Sequence, residues 1–217
     1  NYSGKTWKKV IELLTANTPN GKKISIMLEE IKFKFKVTKI NINKDEQFKP
    51  EFKKISPFSK TPVIIDHINK VSLFESGAIL IYLGEKSGKF YDEGERTVIN
   101  QWLMGQMGYI GPMLGQHHQF HHYNPGKSEF GERRYFKISE RIYKELDERL
   151  ANSNFLAGKY YSIADIATFP WIARHEWHDI GLKNFKNLRR WYEEIAIREA
   201  VKKGYDLLKN GEKIPKV

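Results

Sequence analysis

Residues 73–83 have the sequence Leu-Phe-Glu-Ser-Gly-Ala-Ile-Leu-Ile-Tyr-Leu, and residues 61–64 before them have the sequence Thr-Pro-Val-Ile. Here a short apolar strand leads into an acidic residue and a serine, and an amphipathic helix begins at that point. The first backbone N–H groups of a helix have no partner within it, so with the Ser76 hydroxyl they can hold a carboxylate. Pro62 has no N–H for a sheet ladder and belongs at the mouth of the next strand, where a cis bond would turn the backbone outward.

The first third of the chain alternates between strand-like and helix-like patterns. Apolar residues cluster or alternate where strands are predicted, and they recur at helical spacing where helices are predicted. The predicted elements are strands at 10–14, 33–42, 61–66 and 71–74 and helices at 21–31 and 75–86. The order βαβ followed by ββα is that of a thioredoxin-like domain.

After a segment rich in glycine and charge, at about 88–94, the patterns are helical only. Helices are predicted at 96–116, 135–150, 162–172, 185–197 and 199–208. The third of these begins with a capping box, Ser162-Ile163-Ala164-Asp165. The predicted architecture is therefore an α/β, thioredoxin-like domain over residues 1–87, a linker at about 88–94 and an all-helical domain over residues 95–217.

The 217 residues include no cysteine. This composition excludes a structural disulfide, a thiolate nucleophile of the protein's own and a cysteine-based zinc site. If the protein carries out thiol chemistry, the sulfur has to come from a ligand.

The formal net charge is +11 at pH 7. Such a charge is compatible with nucleic-acid binding, but the lysines are scattered and acidic residues lie between them, which favours a solvated basic surface. No apolar run is long enough to cross a bilayer. Residues 1–9 are not followed by an apolar core and cleavage site, so we expect no secretory signal, no membrane partner and a cytoplasmic location.

Six segments, in this order, resemble the cytosolic glutathione transferases and, more narrowly, their nu class. They are residues 18–24, 47–52, 55–57, 61–64, 75–76 and 111–116. The nu class comprises bacterial proteins with glutathione-dependent disulfide reductase activity, which are related to the globular domain of a yeast prion-forming nitrogen regulator. The resemblance extends from about Val10 to about Leu208 and implies the glutathione transferase fold.

Thr18 and Asn20 lie where the first strand meets the first helix. A thiolate at this junction would meet the threonine hydroxyl, backbone N–H groups and the positive end of the helix, all of which favour the charged form. Spacing alone also fits a simple threonine cap. The resemblance implies that Thr18 and Asn20 hold the glutathione sulfur, as the catalytic residues.

The resemblance implies further contacts with glutathione. Glu75 would pair with the ammonium of the γ-glutamyl end, and Ser76 would bind its carboxylate. A helix cap is the alternative for both residues. The remaining implied contacts are Lys60 with the glycyl carboxylate, the backbone of Thr61 and Val63, and the side chain of Gln47.

Arg134 matches a position that, in the nu class, reaches across a dimer interface to the glutathione of the neighbouring subunit. Arg133 beside it leaves the register open, and a solvated helix face is the alternative.

Four histidines, His117, His118, His121 and His122, form pairs at i, i+4, which is a spacing used by zinc ligands. No glutamate lies between them in the metalloprotease pattern, and no third ligand is evident. The resemblance places a histidine-rich segment beside the second-substrate cleft, so we expect no metal.

The resemblance implies a homodimeric enzyme that binds one or two glutathione molecules per site. Its thiolate would attack a small disulfide, or else an electrophile or an organic hydroperoxide. The alternative is a non-catalytic, glutathione-binding regulatory protein, because a fold does not determine a function. The sequence does not identify the second substrate.

Overall fold

The computed structural model describes residues 10–217, so the absence of a secretory signal at residues 1–9 stays a prediction outside the described residues. These residues divide into two compact units. The first runs to Lys89 and also includes Glu199–Lys213, whereas the second comprises Phe90–Arg198 with Ile214–Val217.

The first unit contains the strands β1 (Ile11–Thr15), β2 (Phe35–Lys39), β3 (Val63–Asp66) and β4 (Val71–Phe74), and the helices before the second unit are α1 (Pro19–Glu30), α2 (Pro50–Lys53) and α3 (Ser76–Ser87). The four strands form a mixed sheet in the order β2-β1-β3-β4. Strand β1 is parallel to β2 and antiparallel to β3, and β3 is antiparallel to β4. This arrangement confirms the predicted βαβ and ββα order.

The core of this unit is formed by one face of the sheet and the inner faces of α1 and α3. Leu13, Ile24, Met27, Ile64 and Leu80 are fully buried, as the apolar runs of the strands and the helical spacing predict. The Thr61–Pro62 peptide bond is cis, which confirms the expected turn at the mouth of β3.

The second unit is helical, as predicted. Its helices are α4 (Arg96–Gly105), α5 (Gly111–His118), α6 (Glu129–Ala151), α7 (Ile163–Ile172) and α8 (Lys186–Ala196). The predicted capping box is confirmed, because the Ser162 hydroxyl accepts from the first turn of α7 while the Asp165 carboxylate accepts from the Ser162 N–H at 3.0 Å. No helix within residues 10–217 combines the length and apolar character that a bilayer span requires.

The predicted helix at 96–116 differs in detail. Two π-helical turns, Gln106–Ile110 and Gln119–Tyr123, interrupt the α-helical run. In α4 itself Leu103 is fully buried and Met104 is exposed, although the apolar pattern placed Met104 inside.

The last helix, α9 (Glu199–Tyr205), packs on α1 within the first unit, whereas the sequence placed it in the helical second domain. Gly204 lies against the backbone of Ser25 and Ile26, and the Ser25 hydroxyl donates to the Gly204 carbonyl. A glycine permits this close approach because it has no Cβ. The remaining predicted domain boundaries and the linker stay a prediction.

The segment after α9 is fastened to α1 through Glu212. The buried ammonium of Lys22 donates to Glu212 Oε2 at 2.7 Å and to the Tyr205 carbonyl at 2.6 Å. The Asn17 amide donates to the same carboxylate at 3.0 Å. The segment after α9 therefore stabilises the start of α1.

Candidate functional site

A pocket of about 150 Å³ lies in the first unit, between the start of α1, the loop before β3 and the junction of β4 with α3. The pocket is lined by Asn20, Ser56, Phe58, Lys60, Thr61, Pro62, Phe74, Glu75 and Ser76. Five residues of the predicted site, Asn20, Lys60, Thr61, Glu75 and Ser76, are thus brought together around one cavity.

Thr18 is the N-cap residue of α1. Its hydroxyl oxygen accepts from the Gly21 N–H at 3.1 Å, so the capping alternative describes a real contact. A hydroxyl that accepts still carries a proton to donate, so capping and sulfur binding are compatible. Asn20 follows in the first turn of α1, half-buried at the pocket.

The junction of β4 with α3 has an unusual backbone. Glu75 has φ = 69°, a conformation that L-residues other than glycine seldom adopt, and its side chain is exposed. It makes no side-chain cap bond to α3, so the helix-cap alternative is not supported for Glu75. Ser76, the first residue of α3, is only 6% exposed.

Beneath this junction lies Lys23, a residue of α1 that is 2% exposed. Its Nζ donates to Ser76 Oγ at 3.3 Å. Burial lowers the pKa of Lys23 to about 7, and the nearby carboxylate of Glu75 acts in the opposite direction. Nothing in the sequence distinguishes Lys23, because a helix with two adjacent lysines gives no sign of which one is buried beside a ligand pocket.

The loop before the cis bond is held by Ser56. Its buried hydroxyl accepts from the Lys60 N–H at 3.1 Å and donates to the Lys60 carbonyl at 2.7 Å. These bonds fix the backbone that leads to Thr61, whereas the Lys60 side chain is exposed. Phe58 and Phe74 form an edge-to-face pair with ring centroids 6.3 Å apart at the pocket. The sequence does not predict a role for these two rings, because their contact joins residues that are 16 positions apart in the chain.

Four predicted site residues lie outside the lining of this pocket: Thr18, Gln47, Val63 and Arg134. Val63 is fully buried in the sheet, with register partners Leu14 and Phe74. Gln47 is half-buried and donates to the Ile42 carbonyl at 3.3 Å, while its Oε1 has no hydrogen-bond partner among the described residues.

Arg134 lies on α6 in the second unit, exposed, with its guanidinium 5.9 Å from the centre of the Tyr135 ring. Arg133 forms an exposed ion pair with Glu129 at 3.0 Å. The roles of Val63, Gln47 and Arg134 stay predictions.

The second unit contains a cluster of histidine rings. Centroid separations range from 4.1 Å between His117 and His121 to 6.5 Å between His121 and His122. His118 stacks on His178 at 4.8 Å. Burial lowers the pKa of His118 to about 3 and the pKa of His178 well below its ordinary value, so both rings are neutral near pH 7.

Asp179 is an acidic member of this cluster that the spacing of the histidines did not reveal. Its Oδ2 lies 3.1 Å from His117 Nε2 and 3.3 Å from His122 Nε2. These three atoms are of the types that bind transition metals. However, His122 Nε2 also lies 2.5 Å from the Trp177 carbonyl, so this nitrogen carries a proton to donate and has no lone pair for a metal. The contacts are accounted for as hydrogen bonds, and the expected absence of a metal stays a prediction.

The buried histidines predict an acid-sensitive fold. The folded pKa of His118, about 3, lies below the unfolded value of about 6.5, so its contribution to stability is complete above pH 6.5 and is lost as the pH falls. We expect the free energy of unfolding of the wild type to fall below pH 6.5 more steeply than that of His118→Phe, by up to about 1.4 kcal/mol per pH unit.

Urea unfolding at pH 4.5 to 7.5 measures this difference. Burial raises the pKa of Asp165 to about 6, which acts in the opposite sense, but it does so in both proteins. Parallel curves for the wild type and His118→Phe would contradict the prediction.

Comparison with known proteins identifies the family. The profile "Glutathione S-transferase, N-terminal domain" matches residues 10–85, and "Glutathione S-transferase, C-terminal domain" matches residues 127–199. The chain is also 44% identical over 207 residues to "Disulfide-bond oxidoreductase YfcG" of Escherichia coli strain K12, which covers 92% of this chain and 95% of that protein.

Solved structures extend the similarity to the fold. A glutathione transferase from Burkholderia graminis, with two glutathione molecules bound per subunit, has a TM-score of 0.87 and 37% identity, covering 94% of this chain and 90% of that one. Ure2p in complex with glutathione has a TM-score of 0.85 and 29% identity, covering 90% of this chain and 98% of that one. The predicted fold and superfamily are therefore confirmed, and the chain belongs to the glutathione S-transferase family.

Proposed function

We propose that this protein binds glutathione in the pocket of the first unit and uses it to reduce small disulfides, as a nu-class enzyme of the cytoplasm. The pocket is the observation that carries the proposal, because Asn20, Lys60, Thr61, Glu75 and Ser76 provide polar and charged groups for the two ends of a peptide-like ligand. The relative named as a disulfide-bond oxidoreductase and the glutathione-bound transferase support the same reading.

The chemistry takes place between ligand sulfurs, because the chain contains no cysteine. The thiolate of a first glutathione attacks the disulfide, so that a mixed disulfide forms and one substrate thiolate leaves. A second glutathione thiolate attacks the glutathione sulfur of the mixed disulfide, which yields glutathione disulfide and releases the second substrate thiolate. The protons lost by the two glutathione thiols are taken up by the two leaving thiolates.

Thr18 and Asn20 would promote the first step by stabilising the thiolate. The Thr18 hydroxyl can donate to sulfur while its oxygen accepts from the Gly21 N–H. The start of α1 contributes the positive end of a helix, which lowers the pKa of a nearby thiol. No group of the protein has to be covalently modified.

Removing either side chain tests this assignment. A hydrogen bond to a charged group contributes roughly 1.5–3 kcal/mol, so we expect Thr18→Ala and Asn20→Ala each to lower kcat/KM for glutathione-dependent reduction of a model disulfide by about 10- to 100-fold. Thr18→Ser keeps the hydroxyl and should retain most of the activity. Wild-type rates in both alanine variants would reject the mechanism.

Two further points of the proposal can be examined with the same assay. A homodimer in which Arg134 reaches the neighbouring pocket predicts a higher KM for glutathione in Arg134→Ala with little change in Arg133→Ala.

The alternative function, a glutathione-binding regulator, is favoured only by the similarity to Ure2p. It predicts glutathione binding without turnover of disulfides, hydroperoxides or electrophiles.

A further inference from the structure

Lys23 is the buried cation next to the candidate pocket. Only 2% of its surface is exposed, which is rare for a lysine. Its Nζ lies 3.3 Å from Ser76 Oγ, and Ser76 lines the pocket. The side chain of Ser76 therefore links the Lys23 ammonium to the cavity.

The chemistry of this contact fixes the polarity of Ser76. An ammonium has three donors and no acceptor, so the serine oxygen must accept from Lys23. The single hydroxyl proton of Ser76 is then directed to another acceptor. Among the groups of a peptide-like ligand, a carboxylate is the strongest acceptor that the Ser76 hydroxyl could meet in the pocket.

We propose that Lys23 is a positioning residue, which holds Ser76 as a hydrogen-bond donor and supplies buried positive charge for the carboxylate of the ligand's γ-glutamyl end. This inference rests on the proposed function. It assigns the positive charge of the Lys23 ammonium to the end of the pocket at which Ser76 lies. It also predicts that binding is linked to uptake of a proton.

The linkage follows from the surroundings of Lys23. Burial lowers the pKa of Lys23 to about 7, so the side chain is partly neutral at pH 7 to 8 before a ligand binds. Glu75 is the charged group that acts on Lys23 from the start of α3, whereas Glu212 and Asp206 act on the adjacent Lys22. A bound carboxylate raises the pKa of Lys23 again, so the affinity falls as the pH rises above 7.

Calorimetric titration with S-hexylglutathione tests the proposal, because this thioether has no thiol to titrate. Measurements at pH 6.0 to 8.5 in two buffers of different ionisation enthalpy give both the affinity and the number of protons taken up. For the wild type we expect net proton uptake near pH 7.5 and roughly tenfold weaker binding at pH 8.5 than at pH 6.0.

Variants at the same position separate charge from packing. Lys23→Met should bind about tenfold more weakly at pH 6.0 and should lose the proton uptake, since the charge near the carboxylate is absent. Lys23→Arg keeps a permanent charge and should bind with little dependence on pH between 6.0 and 8.5. Thermal unfolding confirms that each variant is folded, and if Lys23→Met does not fold, the wild type and Lys23→Arg decide the question.

Lys22→Met is the matched control. Lys22 lies on the same helix and is equally buried, but its ammonium bonds to Glu212 and to the Tyr205 carbonyl. This variant should keep the affinity and the proton uptake of the wild type. A wild type that binds without proton uptake, or a Lys23→Met variant with wild-type affinity and pH profile, would overturn the role of Lys23. Absence of binding by the wild type at every pH would instead reject the proposed function.

Discussion

Gly204→Ala is expected to lower the free energy of unfolding by about 3 kcal/mol, because overpacking against backbone cannot be relieved by a side-chain rotation. A Cβ at this position would lie 2.5 Å from the Ile26 nitrogen and 2.8 Å from the Ser25 carbonyl carbon. Helices α1 and α9 would therefore have to separate. Since α1 begins beside Thr18 and Asn20, we also expect weaker glutathione binding.

Urea unfolding of the purified variant measures the loss of stability. Gly105→Ala is the matched control, because a Cβ at Gly105 meets no atom within 4 Å in a helix of the second unit. This control should be neutral or stabilising by about 0.5–1 kcal/mol, the usual gain for alanine over glycine in a helix. Equal stability of Gly204→Ala and Gly105→Ala would show that the contact between α1 and α9 is loose.

Asp165→Ala is expected to cost about 4 kcal/mol, since it leaves several buried donors without an acceptor. Asp165 Oδ1 accepts from the Leu156 N–H at 2.9 Å and from Trp191 Nε1 at 2.8 Å. Its Oδ2 accepts from the Ser162 N–H at 3.0 Å and from the Ser162 hydroxyl at 3.2 Å. One carboxylate thus joins the start of α7, the preceding loop and α8.

Two further variants separate the contributions of these hydrogen bonds to the free energy of unfolding. Asp165→Asn keeps one oxygen for Leu156 and Trp191 but presents an amide to the Ser162 N–H, so we expect about half of the loss. In a Trp191→Phe background, Asp165→Ala should cost about 1 kcal/mol less, because one of the donors is absent. The comparison is made by urea unfolding at pH 7, and a loss below about 1 kcal/mol for Asp165→Ala would mean that water replaces the carboxylate.

The parts of the fold that could be predicted are those with local signals. An apolar run identified β1, alternation identified β2, the residues after Ser162 identified a cap, and Pro62 marked the turn before β3. The packing of α9 on α1 has no such signal, because it depends on Gly204 meeting a backbone about 180 residues earlier in the chain. The two π-helical turns were missed for a similar reason, since one extra residue in a turn shifts a helical face without changing its composition.

The site residues that could be predicted are those that lie at the end of a strand or at the start of a helix. Glu75 and Ser76 follow a strand directly, and Asn20 lies in the first turn of a helix, so the resemblance could place them. Lys23 was not predictable, because its role depends on burial beneath Ser76, and Lys22 next to it has the same side chain and a different partner. Thr18 fits both interpretations of the sequence. Its hydroxyl oxygen caps α1, as the spacing predicts, and its hydroxyl proton can still be donated to a ligand.

The bond between Lys22 and Glu212 has a practical consequence for anyone who engineers this protein. Glu212 lies seven positions after Tyr205, the last residue of α9, and its carboxylate is bonded to the buried ammonium of Lys22 on α1. An affinity handle or a fluorescent fusion that follows α9 should therefore be joined beyond Glu212. Removing Glu212 would release Lys22, and the resulting loss of stability could then be mistaken for an effect of the fusion partner.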